Sequence, residues 1–174
     1  MKHDKTMDRH YEILNLISTL PRKIISFHDK EHLTEFVLHE LCKEQCFDIN
    51  KAAYFIDSPD FNCLKGVAGH SSTELKQNFQ GDFLNFAKNM EKYDFNKKVR
   101  QLSQDSIKKI KGAEKQRAEQ IAKDLGMKSY TYCSWDMKHD NHALLIYEEQ
   151  TKPEKINEEQ LLNGLSLLSF CPIF

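Results

Sequence analysis

Leu125 to Tyr147 reads LGMKSYTYCSWDMKHDNHALLIY, and this stretch decides the fold. Lys128–Trp135 alternates: Tyr130 and Tyr132 fall on one side, Ser129, Thr131 and Cys133 on the other, which is the period of a strand. Asp136–Asn141 is polar and serves as a turn, and His142–Tyr147 (HALLIY) is a short apolar run of strand length. The two runs make a β-hairpin. Gly126 stands just ahead of it, where a capping glycine ends the preceding helix.

Working outward, Ser106–Asp124 reads as that helix, with Ile107, Ile110, Glu114, Ala118, Ile121 and Leu125 along one face. After the hairpin, Ile156 or Asn157 opens a last helix, expected over residues 156–171, whose apolar positions are Leu161, Leu162, Leu165 and Leu168. Toward the N-terminus lies another hairpin. Lys51–Asp57 (KAAYFID) and Phe61–Val67 (FNCLKGV) are its strands, and Ser58-Pro59-Asp60 is turn chemistry. Gly66, Gly69 and the cluster His70-Ser71-Ser72-Thr73 break the regularity after it.

An N-terminal helix is expected over residues 1–20, with Met7, Tyr11, Leu14 and Ile17 at helical spacing and Pro21 ending it. A second helix runs from Asp29, a plausible N-cap, to about Cys46. Residues 79–104 read as helix of variable quality. Two hairpins separated by helices imply one α/β (α+β) domain over residues 1–174, with helices packed on a largely antiparallel sheet.

Composition agrees with one globular domain: 174 residues, 40% hydrophobic and 29% charged. The formal charge of -1 and the pI of about 6.7 select no polyanionic partner, so nucleic acid is not expected. No apolar run approaches the ~20 residues of a membrane span, and the charged start MKHDKTMDRHYE lacks a signal-peptide core. The five cysteines are odd in number and irregularly spaced, which fits reduced thiols in a cytoplasmic protein.

This element order resembles a GAF domain. Leu33–Asp57 (LTEFVLHELCKEQCFDINKAAYFID) is similar to the family's second helix leading into its first strand. Leu125–Tyr147 resembles its late hairpin, and Asn157–Leu168 its closing helix. The resemblance covers about two thirds of the chain and rests on hydrophobic pattern. It implies a GAF/PAS-like sheet of about five or six strands, with the terminal helices on one face and connecting helices on the other. It further implies a sensory or regulatory module that binds a small molecule or a partner, pairs as a homodimer through its terminal helices, and signals through a separate output protein. The family's cyclic-nucleotide signature is incomplete: Asn96-Lys97 is present, but no Phe follows before Phe170, and Asp105 precedes Ser106 rather than an acid. No Cys-His pair of the bilin-binding members occurs, nor the Gly- and Cys-rich segment of members that reduce methionine sulfoxide.

Four constellations bear on chemistry. His28, His32, Glu35, His39, Cys42 and Cys46 cluster on one face of the second helix at about 100° per residue. Thiolate with imidazole suits zinc, but one straight helix rarely closes a four-ligand site, and no metal is assigned. Cys133 or Cys63, with His70 or His142, is a candidate nucleophile, weighed against the ordinary role of cysteine as a small buried hydrophobe. Lys88–Lys123 holds eleven Lys/Arg against five acids, a solvated face with ion pairs or an anion-binding patch. Phe79, Phe83, Phe86, Tyr93, Tyr130 and Tyr132 are the expected lining of a ligand cavity over the sheet, with Lys97 of the basic segment beside them. No phosphate loop, H-E-x-x-H or G-x-S-x-G motif is present, and no catalytic residue or cofactor is assigned. A thiol-dependent enzyme and a ligand-free interaction domain are the alternatives.

Overall fold

The computed structural model describes residues 2–28, 30–78, 89–90, 92–108, 110, 112–149 and 157–172. Its elements are α1 (Lys2–Ser26), α2 (Leu33–Cys42), β1 (Ile49–Ser58), β2 (Cys63–Ser71), α3 (Ser72–Asn78), α4 (Asp94–Gln101), β3 (Ser103–Asp105), α5 (Ala113–Asp124), β4 (Thr131–Asp136), β5 (His142–Glu149) and α6 (Glu158–Leu165). A 3₁₀ turn, Lys30–His32, leads into α2, and another, Ser166–Phe170, follows α6. The five strands form one antiparallel sheet in the order β3-β2-β1-β5-β4. The molecule is α+β, as the two hairpins predict.

Each face of the sheet carries its own core, because side chains alternate along the strands. Ala52, Tyr54, Ile56, Ala143, Leu145 and Tyr147 pack beneath α1, α2, α6 and the last 3₁₀ turn. Ala53, Phe55, Leu64, Leu144 and Ile146 pack beneath α4 and α5. The terminal helices α1 and α6 thus share one face, as expected, but with α2 beside them, while α4 and α5 cover the other.

Several local expectations need correction. Pro21 does not end the first helix; α1 continues to Ser26. Leu20 before it and Ile24 and Phe27 after it all pack into the core, and Phe27 stacks on Phe36 at 4.8 Å between ring centroids. That packing carries the helix past a proline that would otherwise cost about 3 kcal/mol. Asp29 lies outside the described residues, and α2 begins only at Leu33. The residues expected to break the first hairpin are inside it, since β2 runs through Gly66, Gly69 and His70 to Ser71. The helix expected over 79–104 is α4 followed by β3 within its described part, and α5 starts at Ala113 rather than Ser106. The last helix spans 158–165, with a 3₁₀ turn completing the expected range to Phe170.

Two caps expected from sequence are formed. The Gly126 N–H donates to Lys123 O (3.1 Å) and the Met127 N–H to Ala122 O (2.8 Å), with Gly126 at φ 65°, a Schellman closure of α5. The Asn157 side chain accepts from the Glu159 and Gln160 N–H groups and caps α6.

Candidate functional site

β3 pairs only with residues 63–65 of β2, so the rest of that strand lies at the sheet edge. Two devices cover it. The Gly66 N–H donates to Leu102 O at 3.0 Å, and the Gly69 N–H donates to Asn96 Oδ1 at 2.8 Å. A bulge at Val67, between the pairs Tyr54–Ala68 and Phe55–Gly66, breaks the alternation. Gly66 and Gly69 therefore both face α4, while Val67 and Ala68 pack with the opposite core. Asn96 is buried and also donates to Met90 O at 3.0 Å, so one side chain ties α4, the β2 edge and the segment before α4 together.

Over this edge the two faces of the molecule meet. Glu35 on α2 is 2% exposed, and Arg100 in the last turn of α4 donates to its Oε1 at 2.9 Å. The pair bridges helices that lie on opposite sides of the sheet. Burial raises the Glu35 carboxyl above its ordinary value, against the lowering effects of its backbone hydrogen bond, the Arg100 guanidinium, His32 and Asn96.

Beside the bridge lies a pocket of about 170 Å³. Thr34, Ser58 and Glu35 give it buried polar walls, while Ile56, Val67 and Phe61 give it an apolar side. Lys65 and Glu31, both exposed, stand at it with no ion-pair partner among the described residues. Arg100 has five N–H donors and uses one on Glu35. The pocket therefore presents separate cationic and anionic groups to one small volume. Its lining carries the hydroxyls of Thr34 and Ser58 and the amine of Lys65, with neither a thiol nor an imidazole.

The residues singled out in the sequence fall at several places. Phe79, Phe83 and Phe86 lie outside the described residues. Tyr93 packs with Leu75 and Met90 in a small separate cluster, and Lys97 is exposed on α4. Tyr130 and Tyr132 pack against the core under α4 and α5, Tyr132 on the far edge strand β4. Tyr93 therefore belongs to a different cluster from Tyr130 and Tyr132. Of the helix face considered for zinc, Glu35 joins Arg100, His39 packs against the His70 ring, and Cys42 and Cys46 are buried. Among the described residues no group of three or more His, Cys, Asp or Glu is placed to hold a metal ion.

All five thiols are free. Burial pushes Cys46, Cys133 and Cys171 up to about 12 and Cys42 well above its ordinary value. A nucleophilic cysteine needs the opposite shift. His142 instead joins two carboxylates, with Nδ1 2.7 Å from Asp136 Oδ1 and Nε2 3.1 Å from Glu114 Oε1. Asp57 beside it is fully buried, and its Oδ2 accepts from Ser106 Oγ, Ile107 N–H and Lys108 N–H, holding the turn after β3.

In the sequence Glu35 belongs to the helix face weighed for zinc and Arg100 to the basic segment, and no local pattern joins them. Glu31, Thr34, Phe61 and Lys65 were not singled out. No described helix is long and apolar enough to cross a membrane. Compared with known families and curated proteins, the chain matches no family model and no curated sequence.

Proposed function

We propose that the chain is a GAF-like sensory or regulatory module that takes up a small polar ligand at the β2 edge and performs no chemistry on it. The observation that carries this reading is the pocket beneath the Glu35–Arg100 bridge. An occupant there touches α2 on one face and α4 on the other, so binding energy couples the two layers. The volume of about 170 Å³ lies below the ~300–1,000 Å³ of pockets for drug-sized ligands, which favours a small compound over a nucleotide. Five unpaired thiols fit a reducing, cytoplasmic setting. The signal would pass to a separate output protein.

A ligand at 100 times its Kd stabilises the native state by about 2.7 kcal/mol. For a domain of this size that raises Tm by roughly 5–10 °C. Thermal melts against a library of small polar metabolites at millimolar concentration, with native mass spectrometry of freshly purified protein, test this. A retained small molecule or a shift of that size supports the reading. No retained mass and no shift across the library overturns it.

The same reading pairs two copies through α1, whose outer face exposes Met7, Tyr11, Leu14 and Ile25.

A further inference from the structure

We infer that the pocket at the β2 edge takes a small α-amino acid with an apolar side chain, its carboxylate on Arg100 and Lys65 and its ammonium group on Glu31. This rests on the reading of the pocket as a ligand site and names the class of ligand.

Charge balance is the first argument. Two cations, Arg100 and Lys65, and two anions, Glu31 and Glu35, line one volume of about 170 Å³. The Glu35–Arg100 pair, at 2.9 Å, accounts for one of each sign. Among the described residues Lys65 and Glu31 remain without ion-pair partners, and the other N–H donors of Arg100 have no acceptor. A simple anion entering this pocket meets Lys65 and Arg100 but is repelled by Glu31. A simple cation meets Glu31 but is repelled by Lys65. A zwitterion with its two charges a few bonds apart satisfies both at once.

Chemistry of the walls is the second. A guanidinium fork recognises a planar carboxylate in two parallel hydrogen bonds. Glu35, on α2 and 2% exposed, accepts one hydrogen bond from Arg100 and holds its guanidinium at the pocket. The hydroxyls of Thr34 and Ser58 stand in the same lining and can serve carboxylate or ammonium. Ile56 and Val67 form an apolar wall, and Phe61 at the hairpin turn, 62% exposed, extends it. Apolar wall, cation and anion together describe an amino acid whose side chain is hydrocarbon.

Isothermal titration calorimetry with L-leucine and L-valine tests the assignment, using leucinamide (no carboxylate) and 4-methylpentanoate (no ammonium) as partners for comparison. L-Leucine is expected to bind, and each comparison compound to bind at least about tenfold more weakly. Glu31→Gln and Lys65→Gln alter exposed side chains and leave the core untouched. Glu31→Gln is expected to weaken L-leucine by about tenfold while sparing 4-methylpentanoate, and Lys65→Gln to weaken L-leucine while sparing leucinamide. Equal binding of L-leucine and 4-methylpentanoate, or loss of neither variant's affinity, overturns the assignment. So does the absence of heat from both amino acids at millimolar concentration. If native mass spectrometry then still retains another small molecule, the amino-acid class falls and the ligand-binding reading stands; if it retains none, both fall.

Discussion

His70 lies on β2 opposite Ala52, with its ring 5.4 Å from that of His39 on α2 and tilted 46° to it. It is 3% exposed, and neither ring nitrogen has a hydrogen-bond partner among the described residues. The groups that act on it are few: His39 from α2, with Lys43 beyond acting on His39. Ala52 from β1 contributes no charge. Burial therefore drives both imidazoles down to about 3 from their ordinary 6.5, and the two repel each other when charged. Between those values the unfolded chain binds protons that the folded chain refuses. Stability consequently falls as pH drops from about 6.5 toward 3, by about 1.4 kcal/mol per pH unit for each proton. Glu35, with a raised carboxyl, acts with the opposite sign in the lower part of that range, so a difference between variant and wild type is the clean readout. His70→Leu removes one such proton and an unsatisfied buried group. Urea denaturation at pH 7 and pH 5 is expected to show wild type losing about 2 kcal/mol more than His70→Leu across that interval. Identical losses in the two proteins would show that His70 titrates normally in the folded state.

At the scale of elements, α4 and β2 approach as backbone against backbone. A Cβ on Gly66 would fall 1.8 Å from the Val99 carbonyl oxygen, and one on Gly69 would fall 2.8 Å from Val99 Cγ2 and 3.1 Å from Asn96 Cα. The obstacle at Gly66 is backbone, which cannot swing aside. Gly66→Ala is expected to cost about 2–3 kcal/mol or more in denaturant melts, as overpacking does. Asn96→Ala, which leaves the Gly69 N–H without its acceptor, is expected to cost about 1–3 kcal/mol. A Gly66→Ala protein as stable as wild type would mean that α4 sits farther from the sheet. These glycines also explain what could and could not be read from the chain. Alternation in Lys128–Trp135, the apolar run His142–Tyr147, Gly126 and Asn157 each carry their information locally and form the expected elements, although β4 begins at Thr131 rather than Lys128. Gly66 and Gly69 read locally as breakers, yet they continue a strand because a helix far along the chain, Asp94–Gln101, needs the room. Pro21 is similar, since only the tertiary burial of Leu20, Ile24 and Phe27 overrides it. The pocket was still less legible. Glu31, Lys65 and Arg100 come from three separate elements, the 3₁₀ turn before α2, β2 and α4, and are far apart in the sequence.

For the whole molecule, the long first helix has more apolar surface than one sheet can cover. Ile13, Ile17, Leu20, Ile24 and Phe27, at spacings of four and three, face the core. Met7, Tyr11, Leu14, Ser18, Pro21 and Ile25 follow the same spacing about a third of a turn round the helix. Within that second row Tyr11 is 72% and Ile25 84% exposed. Twenty-five residues make a helix of about 37 Å, long enough for a coiled-coil seam against a like helix. α6 adjoins α1, with His10 Nδ1 3.0 Å from Gln160 Oε1, and the exposed Leu162 and Phe170 extend the apolar surface of this layer. A self-complementary stripe of this kind suits a two-fold pair of identical chains. Sedimentation equilibrium is therefore expected to give a dimer at tens of micromolar. Leu14→Glu, at the centre of the stripe and away from the core row, is expected to weaken that dimer at least about tenfold. It should leave the monomer's fold and its far-ultraviolet circular dichroism unchanged. A wild-type protein that stays monomeric at high concentration would remove the pairing, while the pocket at the β2 edge, built within one chain, would be unaffected.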